Sequence, residues 1–123
     1  MTAITRTVAR AHQQSITSQL TEFAAALEEQ RGFRIEQLTK LDSATSRGSW
    51  VSVDDPRGEV SDALRAAARN ALSEIKAAVE RIEAGTYGLC EACAAEIPLE
   101  RLEILPAAGL CMRCAHAREQ RGR

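Results

Sequence analysis

The chain has 123 residues, with 16 Lys and Arg against 17 Asp and Glu and a formal net charge of -1. This balance argues against a protein that coats DNA or RNA, because such a protein needs a basic face to neutralise phosphates. Hydrophobic residues make up 45% of the chain but aromatic residues only 3%, which excludes wholesale disorder and favours thin helix-on-helix packing over a thick sheet-based core.

Residues 1 to about 42 are predicted to form a first long helix. Apolar residues recur there at steps of three and four, which is typical of a coiled-coil seam. Gly32 costs about 1 kcal/mol in a helix interior and allows a bend. The seam slips by about one position after this glycine. The seam residues before and after it are Ile16, Leu20, Phe23 and Leu27, then Ile35, Leu38 and Leu41 or Asp42.

Residues 43–59 are predicted to be a loop, because Ser, Thr, Gly, Asp and Pro cluster there and the apolar stripe stops. Asp55-Pro56 is typical of a helix start, with Pro in the first turn and Asp as the cap. Trp50 is the large apolar residue of this loop, and it either folds back over the helix ends or contacts a partner.

A second helix is predicted over residues 60–84, with Gly85 as its C-terminal cap. Its stripe has the same spacing as the first, so the two helices are expected to form an antiparallel hairpin, an arm comprising residues 1–84 with the loop at its tip. The stripe residues of the second helix are Val60, Leu64, Ala68, Leu72, Ile75, Val79 and Ile82.

Two Cys-x-x-Cys pairs follow, Cys90 with Cys93 and Cys111 with Cys114. Their spacing is typical of a four-cysteine zinc site, in which four thiolates fill a tetrahedral shell and leave no open position for water. Such a zinc ion is structural, one per chain. A thiol redox pair and an iron–sulfur cluster remain alternatives, and His116 is a spare ligand or a surface residue. Residues 85–123 are expected to form the finger and a terminal helix.

The sequence does not predict an enzyme. It offers no Ser–His–Asp set, phosphate-binding loop or open metal site, and His12 and His116 are far apart in sequence. The N-terminus has no apolar signal region and no run of 18 apolar residues occurs, so a cytoplasmic protein with no membrane contact is expected. Residues 85–123 hold five Arg and five Glu, which argues against sequence-specific DNA binding. A monomer is expected.

The finger segment has further marked positions besides the four cysteines. They are Gly85, Thr86, Tyr87, Gly88, Ile97, Arg101, Leu102 and Pro106. With these positions, the segment resembles the DksA/TraR C4-type zinc finger family. The resemblance implies an all-α protein whose coiled-coil arm enters the secondary channel of RNA polymerase. There, acidic tip residues modulate open-complex stability, in several members more strongly with the alarmone ppGpp.

The tip residues implied by the resemblance are less well matched than the cysteines. The family pattern Asp-x-x-Asp-x-Ala is absent, although Glu59 and Asp62 have the spacing of its two acids, with Leu64 in place of the alanine. An N-cap role for Asp55 and favourable helix-start charge for Glu59 and Asp62 are the structural alternatives. The candidate partner-binding residues are Trp50, Asp54, Asp55, Glu59 and Asp62.

No residues are assigned to ppGpp, although four arginines lie near the finger. The altered tip also supports a second hypothesis, a protein-interaction module of the same shape with a different partner or a weakened regulatory activity. The four arginines are Arg113, Arg118, Arg121 and Arg123.

Overall fold

The computed structural model describes the backbone of residues 3–47 and 56–122 and the side chains of residues 11–43 and 58–122. Four helices account for most of this part of the chain, and its extended structure is limited to one isolated bridge between Leu89 and Glu96. The predicted all-α class is therefore confirmed. The helices are α1 (Ala3–Arg47), α2 (Pro56–Ala84), α3 (Leu99–Ile104) and α4 (Met112–Arg121).

The helices α1 and α2 pack together as the predicted antiparallel hairpin. With 45 and 29 residues, they are about 67 and 43 Å long at 1.5 Å per residue. Helix α1 approaches the finger at His12 and Ile16, which lie against Gly88, and it also contacts α3. The helix runs through Gly32 without interruption. No helix in the described part of the chain is both long and apolar enough to cross a membrane.

The connection between the two long helices is shorter than predicted. The loop 43–59 was expected, but α1 continues to Arg47 and α2 already begins at Pro56. Residues 43–47 contain no Gly or Pro to stop the helix, and Pro is well suited to the first helical turn, where its missing N–H has no partner to lose. Trp50, Asp54 and Asp55 lie outside the described residues.

The arm and the finger share one hydrophobic core. From α1 it takes the predicted Ile16, Phe23 and Leu27, each at most 4% exposed, and Leu20 packs against its edge. The finger supplies four of the nine buried members, so the end of the arm that adjoins it, here called the arm base, packs directly against the finger. The buried members from α2 and the finger are Ile75, Ala78, Tyr87, Cys90, Ile97 and Leu102.

The seam of α2 differs from the prediction at both ends. Toward the finger, Ala78 is fully buried in place of Val79, which is 37% exposed, because a helix of 3.6 residues per turn drifts away from a strict seven-residue repeat. Toward the tip, the predicted Val60 and Leu64 are 59% and 41% exposed. Ile35 on α1 is likewise 40% exposed, so the apolar stripe weakens with distance from the finger.

Two glycines shape the passage from α2 into the finger. Gly85 has φ +79° and ends α2 as predicted, with its N–H donated to Ile82 and that of Thr86 to Arg81. Gly88 has φ +90°, and a Cβ atom there would lie 2.8 Å from Cδ1 of Ile16. The absence of a side chain at Gly88 thus allows the finger to approach α1 closely.

Candidate metal centre

The four cysteine sulfurs converge between the two loops of the finger. Cys90 and Cys93 lie in the loop after α2, while Cys111 caps α4 and Cys114 lies in its first turn. All four Sγ atoms lie within 4.8 Å of one another, and those of Cys93 and Cys111 are 3.8 Å apart. A tetrahedron with Zn–S bonds of about 2.3 Å has edges of about 3.8 Å. The donor set therefore fits a zinc ion in both chemistry and spacing.

Backbone hydrogen bonds form the turn that presents the first cysteine pair. The N–H of Cys90 bonds the carbonyl of Ala95, and the N–H of Ala94 bonds the carbonyl of Cys90. Ala94 itself has φ +61°, a left-handed conformation that costs a non-glycine residue about 1 kcal/mol. The N–H of Glu91 bonds the carbonyl of Gly109 and so joins this turn to the loop before Cys111.

The electrostatic surroundings of the cysteines favour a bound cation. Burial of Cys90 opposes its ionisation, but backbone N–H groups of Cys111, Cys93 and Ala92 outweigh it and lower the pKa of the thiol to about 6. Hydrogen bonding with the side chains of Cys111, Cys93 and Cys90 raises the pKa of Cys114. Four thiolates repel one another at this spacing, so a divalent cation is the natural way to keep them all ionised.

Two arginines that the sequence did not single out as structural hold the second cysteine loop in place. Arg81, at the end of α2, is 11% exposed and pairs with Glu91 at 2.8 Å, and it also donates to the carbonyls of Ala107 and Ala108 at 3.4 Å. From α3, Arg101 donates to the carbonyl of Leu110 at 3.1 Å. Both side chains fix the backbone that leads into Cys111.

Tyr87 joins the finger to the arm. Its ring is buried 5.4 Å from that of Phe23, and its hydroxyl donates to the carbonyl of Pro106 at 2.7 Å. Burial raises the pKa of Tyr87 to about 12, a shift that the nearby positive charge of Arg81 partly offsets. The sequence marks this position through the Gly-Thr-Tyr-Gly segment, but not the hydrogen bond that the tyrosine makes.

We expect Tyr87 to titrate near pH 12 in the folded protein and near its ordinary value, about 10, in urea. Because the folded state favours the neutral phenol, this group's contribution to stability is complete below pH 10 and is lost as the pH rises toward 12. The chain has a single tyrosine, so tyrosinate absorbance reports it directly. A midpoint near 10 with helical circular dichroism intact would contradict the buried hydrogen bond.

The two histidines have different surroundings. His12 lies at the joint between α1 and the finger, with Nε2 3.5 Å from the carbonyl of Gly88 and Nδ1 3.8 Å from Glu96. His116 is exposed on α4 and bonds Gln120, outside the cysteine cluster, as expected of a surface residue. The structure thus gives His12 a packing role that its sequence context did not indicate.

Of the predicted tip residues, Glu59 and Asp62 are described. Both are exposed, and Asp62 pairs with Arg65 at 3.0 Å. Asp62 is therefore already engaged within the arm. Asp62 and Arg65 are three apart on α2, a spacing at which helix side chains meet, so the pair could have been recognised from the sequence.

The comparison with protein families matches the finger. Residues 85–120 match the prokaryotic dksA/traR C4-type zinc finger, a stretch that contains all four cysteines. The resemblance seen in the sequence is confirmed for this segment.

Individual relatives match over the same region. An uncharacterized protein of Aquifex aeolicus (strain VF5) is 49% identical over 49 residues, which cover 40% of this chain and 34% of the relative. The RNA polymerase-binding transcription factor DksA of Escherichia coli (strain K12) is 37% identical over 46 residues, or 37% of this chain and 30% of the relative. The chain therefore matches about a third of the length of these curated relatives.

Among solved structures, transcription factor DksA2 from Pseudomonas aeruginosa aligns with 92% of this chain and 87% of its own chain. The sequence identity is 23% and the TM-score is 0.48.

Proposed function

Because the chain carries a zinc finger of the DksA/TraR family, we propose that it is a transcription regulator that binds RNA polymerase directly. The observation that carries this proposal is the family match over residues 85–120, on a finger that is packed against a long two-helix arm. A relative matched over this region is named an RNA polymerase-binding transcription factor. In this proposal residues 1–84 form the arm, residues 85–123 form the finger, and the protein acts as a monomer in the cytoplasm.

The zinc ion is proposed to be structural. Cys90, Cys93, Cys111 and Cys114 would hold it, and their four sulfurs fill the tetrahedral shell. With no open position for substrate or water, the metal stabilises the finger rather than supplying a reactive centre. The protein is accordingly proposed to regulate an enzyme and not to be one.

The arm is proposed to enter the secondary channel of the polymerase, as the family resemblance implies. Helix α2 alone spans about 43 Å, and the finger lies at the opposite end from the tip. We assign the effect on open-complex stability to the acids Asp54, Asp55 and Glu59, with Trp50 as a further contact. Asp62 is assigned to the structure of the arm, since Arg65 binds its carboxylate. No residues of this chain are assigned to ppGpp binding.

Co-elution with core RNA polymerase from the same source tests the binding step. The zinc-loaded protein is expected to co-elute at moderate salt and to be displaced by an excess of a known secondary-channel binder. Binding that the competitor does not remove would place the protein elsewhere on the polymerase. No binding at micromolar protein would favour the other hypothesis, an interaction module with a different partner.

A paired substitution tests the tip. Replacing both Asp54 and Asp55 with Ala is expected to leave co-elution intact and to abolish the effect on open-complex lifetime in vitro. The matched control replaces two exposed acids near the arm base, Glu80 and Glu83, with Ala and is expected to retain that effect. Equal activity of both double variants would show that the acidic tip does not act.

A further inference from the structure

Arg65 lies between the two helices, next to Leu64, which the sequence pattern assigned to the seam of α2. Leu64 is four residues and Arg65 three residues from the buried Ala68, so both fit a seam with steps of three and four. The exposures decide between them, because the Arg65 side chain is 15% exposed whereas Leu64 is 41% exposed. A charged side chain thus takes the place of a hydrophobic one between the two helices.

The guanidinium of Arg65 contacts residues of both α1 and α2. Its Nε donates to Oδ1 of Asp42 at 3.1 Å, and one terminal nitrogen donates to the backbone carbonyl of Leu41 at 3.2 Å. The other terminal nitrogen donates to Oδ1 of Asp62 at 3.0 Å. The planar fork therefore joins two points of α1 to the second turn of α2, immediately below the tip.

Among the side chains that the structure describes, the apolar residues of this region are only weakly buried between the helices. Val60 and Leu64 are largely exposed, Ile35 is 40% exposed, and the buried core lies nearer the finger. Apolar contacts are non-directional and tolerate small slips of one helix along another, whereas a forked donor requires its acceptors at set positions. Single polar residues in coiled-coil seams specify register in this way, often at a cost in stability.

We propose that Arg65 is a positioning residue that fixes the register of α2 against α1 and so sets where the tip is presented. The importance of this position for transcription rests on the proposed function, but the register itself does not. Asp42 and Asp62 then act as the two anchors of the Arg65 fork. Their carboxylates are 64% and 79% exposed, so both remain hydrated if the arginine is removed.

The Arg65→Met variant tests the register of the two helices separately from the stability of the protein. Methionine fills a similar volume in the seam and leaves no buried charge unpaired, so we expect the thermal midpoint to be unchanged or higher. The matched control is Arg69→Met, one turn further along α2 at an exposed position. Arg65→Lys keeps the charge without the fork and should give an intermediate result in the distance measurement.

The distance between two spin labels, one on each side of the tip, measures the register of α2 against α1. Spin labels on ketone-bearing residues introduced at positions 43 and 59, both exposed, avoid the cysteines of the finger. The zinc-loaded parent and the Arg69→Met variant should give one narrow distance. The Arg65→Met variant should give a broadened or shifted distribution despite its retained midpoint. An unchanged narrow distance in Arg65→Met would overturn the proposal, whatever its melting temperature.

A polymerase assay shows what the register does. Arg65→Met should still co-elute with the polymerase, because the finger and the arm base are intact, but should lose the effect on open-complex lifetime. If the parent protein does not bind the polymerase, the proposed function fails while the distance measurement still decides the role of Arg65. If Arg65→Met shifted the spin-label distance but kept the full effect on open-complex lifetime, the register of the helices would not control how the tip acts.

Discussion

Cys93→Ser is expected to unfold the finger and to leave the tip-side half of the arm helical. A serine oxygen is a poor replacement for a thiolate, and zinc binding supplies on the order of 10 kcal/mol or more in zinc-finger peptides. The finger has few buried residues of its own, so it cannot fold without that contribution. Chelation of zinc from the unmodified protein should have the same effect.

The shared core predicts how far the damage spreads. Ile16, Phe23 and Leu27 pack against Tyr87 and other finger residues, so the arm base loses partners when the finger unfolds. Hydrogen exchange should therefore accelerate strongly over residues 85–115 and moderately over residues 12–27. Residues 34–41 should change least, because the α1 residues of the core shared with the finger are Ile16, Phe23 and Leu27.

Exchange mapped by mass spectrometry, with far-ultraviolet circular dichroism for total helix, provides the measurement. Ala92→Ser is the matched control, since it introduces the same serine into the same turn at an exposed position without removing a ligand. If the finger of Cys93→Ser kept its protection and its resistance to protease, the four-cysteine site would not be what holds it together.

The parts of the molecule that could be predicted from sequence are those set by local repetition. The steps of three and four predicted the burial of Ile16, Phe23 and Leu27, and the glycine after α2 predicted its end at residue 84. The paired Cys-x-x-Cys turns predicted a cluster whose sulfurs do converge. In each case the signal lies within a few residues of the structure that it specifies.

The features that were missed depend on contacts between distant segments. Arg81 and Arg101 are recognisable as structural only once the loop before Cys111 is folded against them. Leu64 is more hydrophobic than Arg65, yet Arg65 lies between the helices and pairs with Asp42 on α1. Composition could not reveal either arrangement, since both depend on the register of the hairpin.

Phe23→Ala is expected to destabilise the whole protein by about 3–5 kcal/mol, the usual cost of removing a buried aromatic side chain. Phe23 is 4% exposed and packs on Tyr87 at the junction of arm and finger. Phe33→Ala is the matched control on the same helix, because Phe33 is 62% exposed. Removing the Phe33 ring should lower the free energy of unfolding by at most about 1 kcal/mol, mainly because its contact with Arg34 is lost.

Urea denaturation of the zinc-loaded variants measures both costs, and the tyrosine provides a second readout of the same contact. Removing the Phe23 ring admits water to Tyr87, so the pKa of that phenol should fall from about 12 toward its ordinary value near 10. In Phe33→Ala it should not move. Equal losses of stability in the two variants, or an unshifted Tyr87 in Phe23→Ala, would mean that the arm and the finger do not share a core. The arm would then be held to the finger mainly by the polar contacts of Arg81 and His12, a much weaker support for an arm of this length.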